Sequence, residues 1–553
     1  MFHKNRVQSI LNRILILANR PIVQIDIMQE IHSSMLEQGF FLRFNQTYDQ
    51  LCHKIRMSIE ENTLSSLSSE IAEKDIMLAY NQRLLTTTLG NDIFVKAIVY
   101  SQSFNVRIWY PLKKSWQVQL SELGLRFNQP VCSTLLWIHE LFTSLKSMIS
   151  VFRLENYSRR NYSQGKESNI SKISRNEVML VGFKEENFPQ TSFPTHNFFD
   201  WIQNYFGAST EFVHDCKNLG VNLPHLVNLK YQKSLLDRLQ PKSSFQVLLA
   251  LLTLSFRIVL KSKLKSLKYF YLIDELLISQ RIIEGAKHLD LGYVFFPSSY
   301  LVIKPLWATT LERLGVRVIS IHYSASAEPR GPKSNRVVSG IWHLSNWTNS
   351  WVIDREQINQ MTGTSEFSSK YFHIIGVPHW SGQIFVPSKE LNGPYISVFD
   401  TYIHDPSFRL NSGTIDFMGW NNPNLEIIFL EIILKCASEL GFTVLHKKKR
   451  KNSKFSKIPE LRFAEFKVQI ESEYGGLYQQ VDESYSAHSL IEISRAVVSK
   501  PFSTPAFYAR QIGVPSFFLD PTGNISAEDS GLRQCPLVNG KLDLKALLQN
   551  TLN

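Results

Sequence analysis

The sequence has five cysteines in 553 residues, Cys52, Cys132, Cys216, Cys436 and Cys535, and no two of them form a CxxC pair. That spacing excludes a zinc ribbon and a disulfide framework, and it fits a reducing cytoplasm. No run reaches the roughly 18 to 20 apolar residues that span a bilayer. The nearest, "FQVLLALLTLSFRIVLKSKLKSLKYFY" from Phe245 to Tyr271, loses its uncharged core at Arg257 and then carries Lys261, Lys263, Lys265 and Lys268. It reads either as a core helix with a solvated basic end or as an interfacial segment against an anionic leaflet. The opening "MFHKNRVQSILNRILILANRPIVQID" pairs a basic start with an apolar patch. Arg13 interrupts that patch and no small-residue cleavage site follows, so no signal peptide is expected. No His/Asp/Glu group has metal-ligand spacing, no DxD fits a strand end and no internal repeat appears. Chemistry without a metal or cofactor is the expectation.

What is present is a large, aromatic-rich globular chain. Apolar residues make up 44%, aromatics 12% and charged residues 20%, enough for the cores of two or three domains and far from the composition of disorder. The net charge of +12 suggests an acidic partner, but it is not spread in basic stripes with interleaved aromatics, so nucleic acid is not expected. Seven cations fall in "KKKRKNSKFSK", Lys447 to Lys457, and without that one segment the balance would be +5. A cluster so local calls for a local anion, on a ligand or on a phospholipid surface.

Residues 1–90 look helical and polar and form an extension without a catalytic motif. From Phe94 the texture turns β-branched and aromatic. A long amphipathic helix from about Ser133 to Phe152 and a Ser/Asn/Lys-rich loop follow. "VMLVGF", "YFYLID", "GYVFFP" and "VRVISIHY" then read as strands alternating with helices, one of which ends at Gly315. This is the rhythm of a parallel α/β domain, taken here as residues 91–380. The Pro/Gly-rich stretch Gly376 to Pro394 reads as a linker. A second α/β domain, 381–553, contains the strand "YISVFDTYI", a helix stopping at Gly441, the strand "FTVLHK" and the short helix "SAHSLIEIS". It closes with "RAVVSKPFSTPAFYARQIGVPSFFLD", a strand–loop–helix–strand unit with Thr504 as the expected N-cap, Pro505 at the helix start and Gly513 as its stop. The Ser499–Thr504 loop sits where free backbone N–H groups and the helix dipole favour a phosphate.

Several passages together resemble the bacterial polysaccharide-biosynthesis proteins named for a Pro-Phe-Thr-Ser motif. The matching residues are Pro501-Phe502-Ser503-Thr504, with Ser and Thr inverted, followed by "IGVPSFFLDPTG". Further matches are "VFDTYIHDP", "LHKKKRK", "KYFHIIGVPHW", "GFKEENFP" and "HNFFDWI", patchily covering residues 95 to 550. The resemblance implies a GT-B-like fold of two Rossmann-like domains facing a cleft, with residues 91–380 on the acceptor side and 381–553 binding a nucleotide sugar. It implies a transferase building capsule or lipopolysaccharide glycans, similar to Kdo-, sialyl- and pseudaminyltransferases that use CMP-activated sugars. The expected partners are a nucleotide-sugar donor, a glycan or lipid-linked glycan acceptor and an anionic membrane surface. The expected location is the cytoplasm or the inner face of the plasma membrane.

On this reading, Ser499, Pro501, Phe502, Ser503 and Thr504 seat the donor phosphate, although the same residues suit an ordinary helix cap and turn. Lys447, Lys449 and Arg450, after another strand, neutralise the leaving phosphate or form a solvated run. Asp400 contacts the sugar or simply closes a turn. His322 and Glu328, both within "VRVISIHYSASAEPR", are the candidate catalytic pair for proton removal from an acceptor hydroxyl, with a structural histidine as the plain alternative. Asp274 and Glu275 are expected to serve a helix N-terminus instead. A nucleotide-sugar-processing enzyme of the same shape and a non-catalytic assembly scaffold are the rival classes. The first would release products from donor alone, and the second would keep the fold without turnover.

Overall fold

The computed structural model describes residues 34–35, 40–62, 72–89, 92–163, 177–183, 187–188, 198–207, 210–214, 229–231, 246, 249, 252–253, 266–285, 291–297, 304–323, 343–362, 371–378, 383–387, 393–399, 423–447, 461–482, 484–523 and 525–551. Two sheets organise them. The first has seven strands: β1 Val178–Leu180, β2 Phe212–His214, β3 Leu229–Tyr231, β4 Tyr293–Pro297, β5 Arg317–Ile321, β6 Asn349–Val352 and β7 Tyr371–Ile374. The second has six: β8 Tyr395–Phe399, β9 Thr443–Lys447, β10 Tyr478–Val481, β11 Ala496–Ser499, β12 Ser516–Leu519 and β13 Leu537–Val538.

Both sheets are parallel throughout. The first runs β3-β2-β1-β4-β5-β6-β7 and the second β10-β9-β8-β11-β12-β13. Renumbered within its own domain, each sheet starts in the order 3-2-1-4-5-6, the doubly wound Rossmann order. This is the two-domain, GT-B-like layout that the sequence implied. The strand cores are apolar on both faces, as buried parallel strands require: Val497 and Phe518 pack on one side of the second sheet, Val444 and Val498 on the other.

Two sequence readings need correction. The β-rich texture from Phe94 belongs to the helix Asp92–Phe104, whose Phe94, Val95, Ile98 and Val99 bury one apolar face. "YFYLID" is likewise helical, in Ser266–Tyr271 and Ile273–Gly285. Short apolar runs do not distinguish a strand from a buried helix, and tertiary burial decided both cases. The long helix also extends beyond the expected span, from Gln129 to Ser163.

Helices Phe40–Asn62, Glu73–Thr87, Asp92–Phe104 and Lys114–Ser121 share one core, which also takes in Tyr271, Leu276, Leu306 and Leu344. The helical region is therefore packed onto the first sheet's own helices. Asp274 and Glu275 serve that junction. Arg83 donates to both carboxylate oxygens of Asp274 at 2.9 and 3.2 Å, and Glu275 accepts from the Leu306 N–H at 2.6 Å.

The segment joining the sheets is docked on the second. Gln383 exchanges backbone hydrogen bonds with Ser484 and Ser486, and the Phe385 N–H donates to Ser489 Oγ at 3.0 Å. Just after β7, Gly376 has a φ of +71°, and the Val377 N–H donates to Gln511 Oε1 at 2.9 Å. A Cβ at Gly376 would lie 2.8 Å from that same oxygen. Gly376→Ala is therefore expected to lower unfolding free energy by about 1–3 kcal/mol in urea melts, through left-handed backbone strain plus the clash. In a Gln511→Ala background the cost should fall towards the backbone part alone. Equal costs in the two backgrounds would show that the side chain plays no part in this junction.

Candidate functional site

In an open parallel sheet, ligands collect beyond the carboxyl ends of the strands where the winding reverses. In the second sheet that point lies between β8 and β11. Register fixes what stands there. Phe399 pairs with Lys447 on one side and with Ser499 on the other, so the last residues of β9, β8 and β11 lie in one row. With strands about 4.8 Å apart, Lys447 and Ser499 flank the switch point at about 10 Å from each other.

The turn after β11 has an unusual backbone. Phe502 adopts φ +60°, a left-handed conformation that costs an aromatic residue of the order of 1–2 kcal/mol. Burial of its ring compensates: Phe502 is 1% exposed, against Phe518 at 6.5 Å between centroids. Room for the ring comes from Gly531, where a Cβ would sit 2.8 Å from Phe502 Cε1. The Gly531 N–H is held by Asp529 Oδ1 at 2.8 Å.

Here the expected cap shifts by one residue. Ser503, with extended backbone at φ −79° and ψ 129°, is the N-cap of helix Thr504–Gln511, so Thr504 is the first helical residue and Pro505 the second. Proline is tolerated there because a first-turn N–H has no intrahelical acceptor. The Ser503 hydroxyl makes no capping bond and is only partly buried. Ser499 Oγ is fully buried and has no hydrogen-bond partner among the described residues. Two hydroxyls thus stand at the end of β11 without the ordinary structural job that would explain them.

Sequence reasoning missed the loop's own cation. Lys500 is buried and forms an ion pair with Glu426 in the first turn of helix Pro423–Leu440, with its ammonium 5.5 Å from the centre of the Phe429 ring. Glu426 lies 74 residues upstream of Lys500, and no local pattern in the sequence joins them.

Lys447 is buried at the end of β9, and Pro501 is buried in the turn. His322 follows β5 in the first sheet and its backbone N–H donates to the Trp351 carbonyl at 2.8 Å. The ring is fully buried, and burial pulls its pKa down to about 3, so it is neutral at pH 7. The sequence-level candidates Glu328, Asp400, Lys449 and Arg450 lie outside the described residues, as do Lys448 and the rest of the basic cluster and most of Phe245–Lys268. The structure therefore gathers Lys447, Ser499 and Pro501–Thr504 at one sheet edge and keeps His322 on the other sheet.

The two edges are linked. Asp354, just past β6, pairs with Arg533, whose guanidinium stacks on Phe507 at 4.2 Å. Arg533 belongs to the same turn as Gly531, which cradles Phe502, and Ile353 joins the core around Phe502 and Phe507. The carboxyl edge of β6 thus reaches the Phe502 turn through Asp354, Arg533 and Gly531. Among the described residues no group of His, Cys, Asp and Glu has the arrangement of a metal site, and no helix is long and apolar enough to cross a membrane.

Residues 254–548, more than half of the chain, match the family described as polysaccharide biosynthesis PFTS motif protein. The chain belongs to this family. Pro501-Phe502-Ser503-Thr504, which resembles the motif in the family's name with Ser and Thr inverted, lies within the matched residues and coincides with the left-handed turn at the switch point. No curated protein matches the sequence. Similar solved structures include a glycosyltransferase from Rickettsia africae at 11% identity, covering 68% of this chain and 88% of that one with a TM-score of 0.36. A wall teichoic acid polymerase, TagF, shares 12% identity over 75% of this chain and 88% of its own, also at 0.36. A UDP-glucosyltransferase from Polygonum tinctorium that glucosylates indoxyl has 9% identity, coverage of 68% and 89%, and a TM-score of 0.33. Overlaps this loose say nothing of substrate.

The ion pair behind the turn is open to test. Lys500→Met would leave Glu426 buried without its counter-charge and is expected to cost about 3–5 kcal/mol of stability in chemical denaturation. Lys500→Met with Glu426→Leu should recover most of that loss. If the two single losses simply add in the double variant, the pair is not coupled as described.

Proposed function

We propose that this PFTS motif protein is a glycosyltransferase that moves a sugar from a nucleotide-activated donor to a glycan acceptor in bacterial surface polysaccharide assembly. The observation that carries the reading is the strained Phe502 turn at the switch point. Strained backbone persists where the surroundings over-determine it, commonly at ligand sites, and here it is packed around by Gly531 and followed by a helix whose N-cap side chain makes no capping bond. The donor phosphate rests on the Ser499–Thr504 turn, with the Ser499 and Ser503 hydroxyls and first-turn amides as donors. Lys447, across β8, with Lys449 and Arg450 beyond it, supplies positive potential as the bond between the anomeric carbon and the donor phosphate oxygen breaks. Asp400, the next residue in the sequence after β8, is assigned the donor sugar in this reading.

His322, with Glu328 further along its loop, is the base in this proposal. An acceptor hydroxyl gives its proton to the neutral imidazole as its oxygen bonds to the anomeric carbon, and the nucleotide leaves with the bonding electrons. Transfer proceeds without a metal. The donor we favour is a CMP-activated acidic sugar, Kdo or a nonulosonic acid, and the product a capsule or lipopolysaccharide glycan made at the inner face of the plasma membrane. The charge near the turn supports an anionic donor, and the family match supports the pathway.

Thermal-shift screening with CMP, UDP, GDP and their sugars tests the donor class, since a ligand that binds the native state raises Tm by mass action. Ser503→Ala should leave the apo Tm within about 1 °C of wild type, because its hydroxyl caps nothing, while shrinking the nucleotide-induced shift. Loss of apo stability with an unchanged nucleotide shift would make the turn a plain cap. His322→Gln should abolish turnover while nucleotide binding persists. With a pKa of about 3, His322 should also add no acid limb to the rate profile between pH 5 and 7. Wild-type turnover by that variant would remove His322 from the mechanism.

A further inference from the structure

Far along the chain from the donor turn, the helical region encloses a cavity of about 650 Å³ between helices Phe40–Asn62, Glu73–Thr87 and Lys114–Ser121. Its size is that of a small-molecule site. Leu51, Ile55, Met77 and Trp116 contribute an apolar wall, and Val118, 52% exposed, stands at the mouth.

Three lysines, Lys54, Lys113 and Lys268, and one carboxylate, Glu73, line the cavity, and two of the lysines meet at Tyr80. Lys113 donates to the neutral Asn81 Oδ1 at 2.7 Å and lies 4.7 Å from the ring centre of Tyr80 and 4.9 Å from that of Trp116. Lys268, the last lysine of the basic run that follows Arg257, lies 5.7 Å from the same Tyr80 ring. Glu140 accepts from Tyr80, and Glu73, in the lining itself, accepts from Tyr269 at 3.3 Å. Burial first, and the charge of Lys268 second, pull the Lys113 pKa down to about 7, while Glu140 acts the other way. The aromatic faces only partly offset two ammonium groups that both lie against the Tyr80 ring. An anion between them would relieve both the desolvation and the repulsion, and the wall beside it is apolar.

We propose that this cavity binds an amphiphile with one anionic head, a phosphate or carboxylate on an apolar chain, whose head lies between Lys113 and Lys268 and whose chain runs along Leu51, Ile55, Met77 and Trp116. The assignment is independent of the donor turn. It also gives the otherwise unexplained end of the Phe245–Lys268 segment a role, as the source of one of the two cations.

Calorimetric titration of the full chain with dodecyl phosphate below its micelle concentration tests this, beside inorganic phosphate and dodecanol. Saturable binding of dodecyl phosphate is expected, with each comparison compound at least about tenfold weaker. Val118→Glu, at an exposed position that folding tolerates, and Lys113→Met should each weaken dodecyl phosphate by at least about tenfold. Lys435→Met, an exposed lysine elsewhere, should not. Dodecanol binding as well as dodecyl phosphate would overturn the role of the lysines, and inorganic phosphate binding as well would overturn that of the apolar wall. Unchanged affinity in Val118→Glu would overturn the site, whether or not Lys113→Met folds.

Discussion

Lys500 and Glu426 hold opposite charges where almost no water reaches either, and the turn after β11 takes its place from that pair. A buried ion pair of this kind contributes little net stability, because desolvation offsets most of the attraction. What it does is penalise every arrangement in which one charge is buried alone. The strand end at Ser499 is thereby fixed against helix Pro423–Leu440, and with it the start of the left-handed turn at Phe502. The loop's own cation is committed to structure, so under the proposed function the positive potential for the donor phosphate comes from backbone N–H groups and from the end of β9 at Lys447.

From that anchored turn the contacts lead outward. Phe502 occupies the space that Gly531 leaves open, Arg533 in the same turn reaches Asp354 beyond β6, and Gln511 at the far end of the helix holds Val377 after β7. The last two of these contacts join the carboxyl edge of the first sheet to the second domain. A shift of the Phe502 turn would therefore be felt at β6 and β7, one and two strands from β5, whose end carries His322. Packed contacts of this sort have a few discrete arrangements rather than a continuum, which suits a site assembled from two domains.

Much of the second domain was legible in the sequence because its signals are local. Apolar runs bounded by Gly441 and Gly513, the amphipathic helix before Gly441 and the Pro505 helix start all act within a few residues, and the structure follows them, with the cap moved only from Thr504 to Ser503. The helix Asp92–Phe104 and the "YFYLID" segment were misread because β-branched and aromatic residues suit a buried helix face as well as a strand, and only the surrounding helices decide between the two. The left-handed backbone at Phe502 was not legible at all, since an aromatic residue is a poor marker for positive φ. Its cause, Gly531, lies 29 residues downstream. The same distance problem hid Lys500–Glu426 and the row Lys447–Phe399–Ser499, which exists only once the strand order is known.

The central claim is that a nucleotide-sugar phosphate binds at the switch point of the second sheet. Hydrogen exchange followed by mass spectrometry, with and without the nucleotide that gives the largest thermal shift, tests it most directly. The account predicts slower amide exchange in peptides covering Val498–Phe507 and the end of β9 at Lys447, with no change in β1 to β3. Protection confined to the first sheet, or a bound nucleotide that leaves Val498–Phe507 exchanging as before, would contradict it.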